Sequence, residues 1–180
     1  MNNKVLLEAA DKFGTPLYIY DSNMIKSQYN RLKQSFKDVK NLQINYAVKA
    51  LSNISILKYM INLGSGIDAV SIQEVKLALK AGVNPKKILY TPNGVSIEEI
   101  KEVSELGVSI NIDNLEVLEQ FGNLNPDIPV CIRINPHIMA GGNSKISVGH
   151  IDSKFGISIH QTPHILRIVE NTKININGAV

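Results

Sequence analysis

Short apolar runs alternate along the chain with longer stretches in which apolar and polar residues follow a helical period. A short run bounded by polar residues is typical of a buried strand. Strands that alternate with helices at roughly 20-residue spacing predict a parallel sheet with right-handed crossovers. Seven runs rich in Ile, Val, Leu and Tyr follow this pattern, at residues 17–20, 44–48, 66–70, 88–90, 109–112, 130–134 and 174–180.

Capping residues mark the predicted helix boundaries. Ser71 and Ser96 each precede a glutamate by three positions, which is the pattern of a capping box. Asp113 is predicted to cap the helix that follows the fifth run. Gly82 and Gly107 lie just beyond two helical stretches, where a glycine commonly ends a helix. The helix after residues 17–20 is expected to continue through about residue 37.

Two α/β architectures fit such a pattern, namely an open doubly wound sheet and a (β/α)8 barrel. No Gly-x-Gly-x-x-Gly sequence follows any of the predicted strands, so the dinucleotide-binding fingerprint is absent. The strand–helix units are also short and regular. The sequence therefore favours the barrel.

The composition narrows the class of protein. A length of 180 residues suits one domain or part of a larger one. The formal net charge of +3 is dispersed, without a basic cluster interleaved with aromatic residues, so nucleic acid is an unexpected partner. No apolar run is long enough to span a bilayer, and charged residues interrupt the N-terminus too early for a signal peptide. With Cys131 as its single cysteine, the chain is predicted to be soluble and cytoplasmic.

Lys49 ends the second apolar run, where a charged amine is unexpected. Burial of an ammonium group favours its neutral form, which is the nucleophile. A lysine at the end of a buried strand is therefore a candidate for covalent chemistry with a carbonyl compound. The alternative is a strand-end lysine whose amine extends into water.

Other polar residues follow predicted strands at corresponding positions. In a parallel barrel, functional side chains collect at the carboxyl ends of the strands. Asp113 has an alternative role as a helix cap, and Asn93-Gly94 as a turn. Arg133 lies within an apolar strand, where a guanidinium needs an anion or several acceptors. The candidates at this rim are Asp68, residues 91–94, Asp113, Arg133, Asn135 and His137.

A long irregular segment separates His137 from Ser153. Segments of this length in compact domains are often lids or binding loops, and Gly141-Gly142 could offer backbone N–H groups to an anion. The four histidines show no metal-ligand spacing with carboxylates or with the cysteine, so no metal site is predicted.

Four short motifs resemble those of one enzyme family. They are, in chain order, Tyr46-Ala47-Val48-Lys49-Ala50, Asp68-Ala69-Val70-Ser71 followed by Glu74, Arg133-Ile134-Asn135-Pro136, and Ser153-Lys154-Phe155-Gly156. They are similar to motifs of the pyridoxal-phosphate-dependent decarboxylases of ornithine, diaminopimelate and arginine, which share the alanine-racemase barrel. The resemblance extends from about Phe13 to the last residue, and the branch that acts on meso-2,6-diaminopimelate fits best.

The resemblance implies roles for particular residues. Lys49 would be the catalytic residue that carries pyridoxal 5'-phosphate covalently. Ala47, Asp68 and Arg133 would bind the cofactor, with Asp68 near the covalent bond and Arg133 near the ring. Lys154, with the Phe155-Gly156 pair, would organise the floor of the site. The implied reaction is decarboxylation of meso-2,6-diaminopimelate to L-lysine, the last step of bacterial lysine synthesis, and a homodimer is implied for the full-length enzyme.

The resemblance also implies that residues 1–180 are the N-terminal portion of the barrel domain. Counted from Ile44, six of eight strands are expected, and the C-terminal β-rich domain is absent from this chain. The 17–20 run would pair with that domain, so the isolated chain is expected to have little activity. Alternatives are a related ornithine or arginine decarboxylase, an amino-acid racemase, a small pyridoxal-phosphate carrier protein, or an inactive remnant.

Overall fold

A computed structural model describes residues 2–138, 149 and 153–180. It divides into two units, Met1–Leu42 and Gln43–Val180. The first unit contains the helices α1 (Asn3–Phe13) and α2 (Ser22–Ser35), whose first turns are capped by Asn2 and Asp21. Residues 17–20 have no regular secondary structure, so the strand predicted there is wrong for the structure described. No described strand pairs with this run, and an isolated strand leaves its backbone groups without partners.

The second unit contains a six-stranded sheet in which every neighbouring pair is parallel. Its strands are β1 (Asn45–Ala47), β2 (Gly66–Ala69), β3 (Ile88–Tyr90), β4 (Ser109–Ile112), β5 (Val130–Ile132) and β8 (Ile176–Ala179), in that spatial order. Two shorter strands, β6 (Ile134–Asn135) and β7 (Ile157–Ser158), form a separate parallel pair.

Helices connect the strands of this sheet. They are α3 (Ile54–Asn62), α4 (Ile72–Ala81), α5 (Ile97–Glu105), α6 (Leu115–Leu124) and α7 (Thr162–Thr172). The strands follow one another around the sheet in chain order, without the reversal that defines a doubly wound fold. The predicted α/β class is thus confirmed as a partial (β/α)8 barrel with six strands. Of the helices in the described part of the chain, none has both the length and the apolar character to cross a membrane.

Apolar and polar residues alternate along the strands because the two faces of the sheet have different neighbours. Residues from successive strands align in register, and those on the helix side are buried in one apolar cluster with helical residues such as Val75 and Phe121. The opposite face carries polar residues, among them Asp68 and Asn111. The aligned apolar residues are Ile67, Ala69, Ile88, Tyr90, Ile110, Ile112, Val130 and Ile132.

The two predicted capping boxes form only in part. The Ser71 hydroxyl accepts a hydrogen bond from the Glu74 N–H (3.3 Å), as predicted. The Glu74 carboxylate, however, accepts from the N–H of Val70 (2.8 Å), one residue before the position that a capping box requires. Ser96 likewise accepts from the Glu99 N–H (3.2 Å), while the Glu99 carboxylate turns away to other elements. The caps are therefore confirmed, and the reciprocal carboxylate bonds are not.

Asp113 does not cap α6, contrary to the prediction. Asn114 is the cap, and its side-chain oxygen accepts from the Val117 N–H (2.8 Å). The helix starts one residue later than expected, which leaves the Asp113 carboxylate free to point to the end of the sheet. The predicted helix ends are confirmed, since Gly82 (φ 96°) terminates α4 and Gly107 (φ 73°) follows α5.

Candidate active site

A cavity of about 450 Å³ lies at the carboxyl ends of the parallel strands. Each of the six strands is followed by, or contains, residues that line it, which is the arrangement expected of a barrel mouth. The lining residues are Lys49, Asp68, Val70, Thr91, Asn93, Asn111, Arg133, Lys154, Phe155 and Val180.

Lys49 lies in a short 3-10 turn, Val48–Ala50, directly after β1. Val48 is fully buried and anchors the turn, while Lys49 itself is exposed and lines the cavity. Of the two alternatives that the sequence left open for Lys49, a buried amine and an amine that extends into water, the structure shows the exposed side chain. β1 ends at Ala47, and the turn carries Lys49 out of the sheet to the cavity.

Asp68 is held in place by the neighbouring strand. The Thr91 hydroxyl, one residue beyond β3, donates a hydrogen bond to Asp68 Oδ1 (2.6 Å). Hydrogen bonds to an ionised acceptor are short and strong, so Thr91 fixes the orientation of this carboxylate in the cavity. Ala47 pairs with Asp68 across β1 and β2 and is half-buried, but it is not among the residues that line the cavity.

Asn93 joins three segments at the rim of the cavity. Its side-chain Nδ2 donates to Asp113 Oδ2 (2.5 Å) and to the backbone oxygen of Lys154 (3.3 Å). The residues after β3 and β4 are thus tied to the segment that precedes β7. Asp113 is 7% exposed, so its carboxylate depends on this amide for much of its polar contact.

Arg133 stacks on an aromatic ring in the cavity wall. Its guanidinium carbon lies 4.5 Å from the centre of the Phe155 ring, and Lys154 Nζ lies 5.1 Å from the same ring. Gly156 has a φ of 83° and allows this segment to turn tightly over β6. Within the described residues no carboxylate forms an ion pair with Arg133.

The predicted rim residue His137 lies elsewhere. It follows β6 with a φ of 57°, and its ring meets the ring of His160 edge-on, with 5.2 Å between centroids. It does not line the cavity. Asn135 is buried in β6. Most of the predicted binding loop, including the Gly141-Gly142 pair, lies outside the described residues.

Asn111 is the cavity residue that the sequence analysis missed. It lies in β4 between Ile110 and Ile112 and is 1% exposed. Its signal in the sequence is a polar amide placed between two large apolar residues in a buried strand.

Cys131 on β5 is the partner of Asn111 in register, and its thiol donates a hydrogen bond to Asn177 Oδ1 (3.4 Å). Burial raises the pKa of this thiol, which disfavours a nucleophilic role for Cys131.

Comparison with known proteins shows the family. Residues 22–180 match the model of the pyridoxal-dependent decarboxylase, pyridoxal binding domain. The chain belongs to this family. The match confirms the family predicted from the four motifs, and it confirms pyridoxal phosphate as the cofactor.

Named relatives of the chain are diaminopimelate decarboxylases. The enzyme of Campylobacter jejuni is 42% identical over 153 residues, which are 82% of this chain and 38% of the relative. That of Methanothermobacter thermautotrophicus is 37% identical over 164 residues, 90% of this chain and 38% of the relative. The crystal structure of the Helicobacter pylori enzyme complexed with L-lysine superposes with a TM-score of 0.83 and 33% identity, over 98% of this chain and 45% of that one.

The chain spans about two fifths of the length of the curated relatives it matches. The residues present nevertheless fit the family's cofactor. The cavity side chains comprise three cations, Lys49, Arg133 and Lys154, against the carboxylate of Asp68, a formal charge of +2. Such a balance suits a phosphorylated ligand, and the volume is in the range of small-molecule sites.

Proposed function

We propose that the chain is the N-terminal portion of the cofactor-binding barrel domain of a diaminopimelate decarboxylase. The observation that carries this proposal is the convergence of Lys49, Asp68 and Arg133 on one cavity, in a chain that belongs to the pyridoxal-binding family. The three residues come from motifs far apart in the sequence. Their meeting at the carboxyl ends of parallel strands is what a barrel active site requires.

Lys49 is the residue that bonds to the cofactor in this proposal. It has the primary amine that such a bond needs, and it lies at the cavity with its side chain accessible. Pyridoxal phosphate supplies an aldehyde that condenses with an amine, with loss of water, and a ring that accepts the electron pair left when carbon dioxide departs.

The other cavity residues orient the reacting groups and neutralise the charges of the bound molecules. Asp68, fixed by Thr91, places a negative charge beside the amines that react in the cavity. Arg133 and Lys154 attract the anionic groups of the cofactor and the substrate, and the Phe155 ring holds both cations at the cavity wall. Ala47 is in register with Asp68 and ends the strand before the Lys49 turn, and in this proposal it packs beside the cofactor, as its motif implies.

The proposed substrate is meso-2,6-diaminopimelate, and the products are L-lysine and carbon dioxide. One carboxyl–carbon bond breaks, carbon dioxide leaves, and a proton is added to the carbon that bore the carboxyl group. The identities of 42% and 37% to diaminopimelate decarboxylases support this substrate, as does the L-lysine complex of the Helicobacter pylori relative. For the full-length protein we propose a homodimer, on the resemblance alone.

Trapping of the cofactor tests the proposal. The chain is incubated with pyridoxal phosphate, reduced with borohydride and digested, and the modified peptides are identified by mass spectrometry. We expect the major adduct on Lys49 at substoichiometric cofactor, because this amine lies in a cavity that attracts the phosphate.

Lys49→Ala should abolish this adduct, whereas Lys101→Ala, at an exposed position on α5 outside the cavity, should leave it unchanged. Lys154→Ala controls for labelling of the second cavity lysine. An adduct spread evenly over surface lysines, and unaffected by Lys49→Ala, would contradict the proposal.

A further inference from the structure

Asn111 faces the cavity from the middle of β4. The side chains of its neighbours Ile110 and Ile112 belong to the apolar cluster on the helix side of the sheet, so alternation directs Asn111 to the opposite side. It is 1% exposed and lines the same cavity as Lys49 and Asp68. Tyr90 pairs with Ile110, which places Thr91 alongside Asn111 on the next strand.

The amide of Asn111 lacks the partner that its burial demands. Its Oδ1 is buried and accepts no hydrogen bond from any residue that the structure describes. The two neighbouring polar groups of the cavity are already engaged, since Thr91 donates to Asp68 and Asn93 donates to Asp113. A buried polar group without a partner is unfavourable, and one that lines a cavity can be satisfied by a molecule bound there.

We propose that Asn111 is a further cofactor-binding residue, whose side-chain amide forms a hydrogen bond with pyridoxal phosphate bound in the cavity. The inference rests on the proposed function. The unpaired Oδ1 can accept from a hydroxyl group or a protonated ring nitrogen of the ligand, and the N–H groups of the amide can donate to its oxygen atoms. Binding would then satisfy a group that the protein alone leaves unpaired.

The proposal predicts opposite effects on affinity and on stability. Asn111→Leu removes an unpaired amide and replaces it by an apolar side chain of similar shape. The protein without cofactor should therefore unfold at an equal or higher urea concentration than the parent, because a satisfied structural bond is not lost. The dissociation constant for pyridoxal phosphate should rise about fivefold or more, the worth of one hydrogen bond. A structural role would give the reverse, with loss of stability.

A second variant separates the loss of the amide from added bulk. Asn111→Ala removes the amide without adding bulk to the cavity. If the amide binds the ligand, this variant should weaken binding as Asn111→Leu does. Weaker binding in the leucine variant alone would mean that bulk excludes the ligand, and would overturn the proposal. Affinity is measured by absorbance titration of the 180-residue chain with pyridoxal phosphate.

Asn125 supplies a matched control. Its Oδ1 is also buried and unpaired within the described residues, but it follows α6, at the end of the unit away from the carboxyl ends of the strands. Asn125→Leu should leave the affinity unchanged. Affinity in Asn111→Leu equal to that of the parent overturns this inference and leaves the proposed function standing. Absence of binding and of the Lys49 adduct in the parent overturns both.

Discussion

At the scale of single residues, Glu99 shows how one carboxylate can join three elements. It lies on α5 and accepts hydrogen bonds from the Tyr90 hydroxyl on β3 (2.6 Å) and from the Ile72 N–H at the start of α4 (3.1 Å). Tyr90 is fully buried. Burial, together with the Glu99 carboxylate, raises the pKa of the Tyr90 phenol well above its ordinary value of 10.0.

Replacement of Tyr90 by phenylalanine should therefore lower stability in a pH-dependent way. At pH 8 we expect Tyr90→Phe to reduce the free energy of unfolding by about 1–3 kcal/mol, since a buried hydrogen bond to a carboxylate is lost. In the parent, the folded state retains the phenol proton above pH 10 whereas the unfolded state loses it. The stability from Tyr90 is thus complete below about pH 10 and declines above it by up to about 1.4 kcal/mol per pH unit.

The deficit of Tyr90→Phe should consequently shrink between about pH 10 and pH 11. Urea unfolding of both proteins at several pH values measures the difference, in which the titration of the other groups cancels. A deficit that stays constant from pH 8 to pH 11 would show that the phenol does not titrate differently in the folded state.

Asn93 is the second residue that connects elements, in this case at the rim of the cavity. Asn93→Ala should cost about 2 kcal/mol of folding stability, because the buried Asp113 carboxylate loses its shortest hydrogen bond. If the two side chains act through each other, Asp113→Ala should cost much less in the Asn93→Ala background than in the parent. A double-mutant cycle by denaturant unfolding measures this coupling, and simple additivity would argue against it.

At the scale of elements, the turn that carries Phe155 depends on Gly156. A Cβ at this position would lie 2.9 Å from the backbone nitrogen of Asn135 and 3.1 Å from the carbonyl carbon of Ile134. Both atoms belong to β6, so the contact cannot be relieved by rotation of a side chain. The turn and the short strand pair β6–β7 therefore need glycine for space as well as for its φ of 83°.

Gly156→Ala should destabilise the protein more than Gly82→Ala by about 1–3 kcal/mol. Gly82 is the matched control because its φ of 96° carries a similar backbone penalty, while nothing lies within 4 Å of a Cβ built there. Denaturant unfolding gives the two values. Equal losses would indicate that backbone conformation alone sets the requirement, and that β6 yields to the added methyl group.

At the scale of the whole molecule, the sheet has two edges, β1 and β8, in a fold whose complete form has eight strands. We expect the 180-residue chain to bind pyridoxal phosphate weakly and to decarboxylate meso-2,6-diaminopimelate slowly or not at all. Cavity walls contributed by six strands leave part of a ligand exposed, which weakens every electrostatic contact.

Carbon dioxide release from labelled substrate measures the activity, with the Campylobacter jejuni diaminopimelate decarboxylase as the positive control. Fusion of residues 1–180 to the remaining part of that relative should restore turnover, with diaminopimelate preferred over ornithine and arginine, and Lys49→Ala should abolish it. Turnover by the 180 residues at a rate close to that of the relative would contradict this prediction.

The sequence by itself determined the six strands of the sheet and, apart from Asn111, the polar residues of its cavity. Apolar runs flanked by polar residues located the six strands because parallel strands buried on the helix side require such residues. Lys49, Asp68 and Arg133 were found because a polar residue at the end of an apolar strand stands out in any sequence. The helix α1 was not predicted, although its sequence is amphipathic and Asn2 caps its first turn.

Only the tertiary structure decided the partners of the polar side chains. Local spacing predicted that Asp113 and Glu99 take part in helix caps. In the structure, Asp113 accepts a hydrogen bond from Asn93 and Glu99 accepts one from Tyr90, and both donors lie on other elements. The tertiary structure also placed Asn111 at the cavity, where no described group pairs with its amide oxygen. Hydrogen bonds between distant segments depend on distances that arise only on folding, whereas burial of an apolar strand depends on the residues of the strand itself.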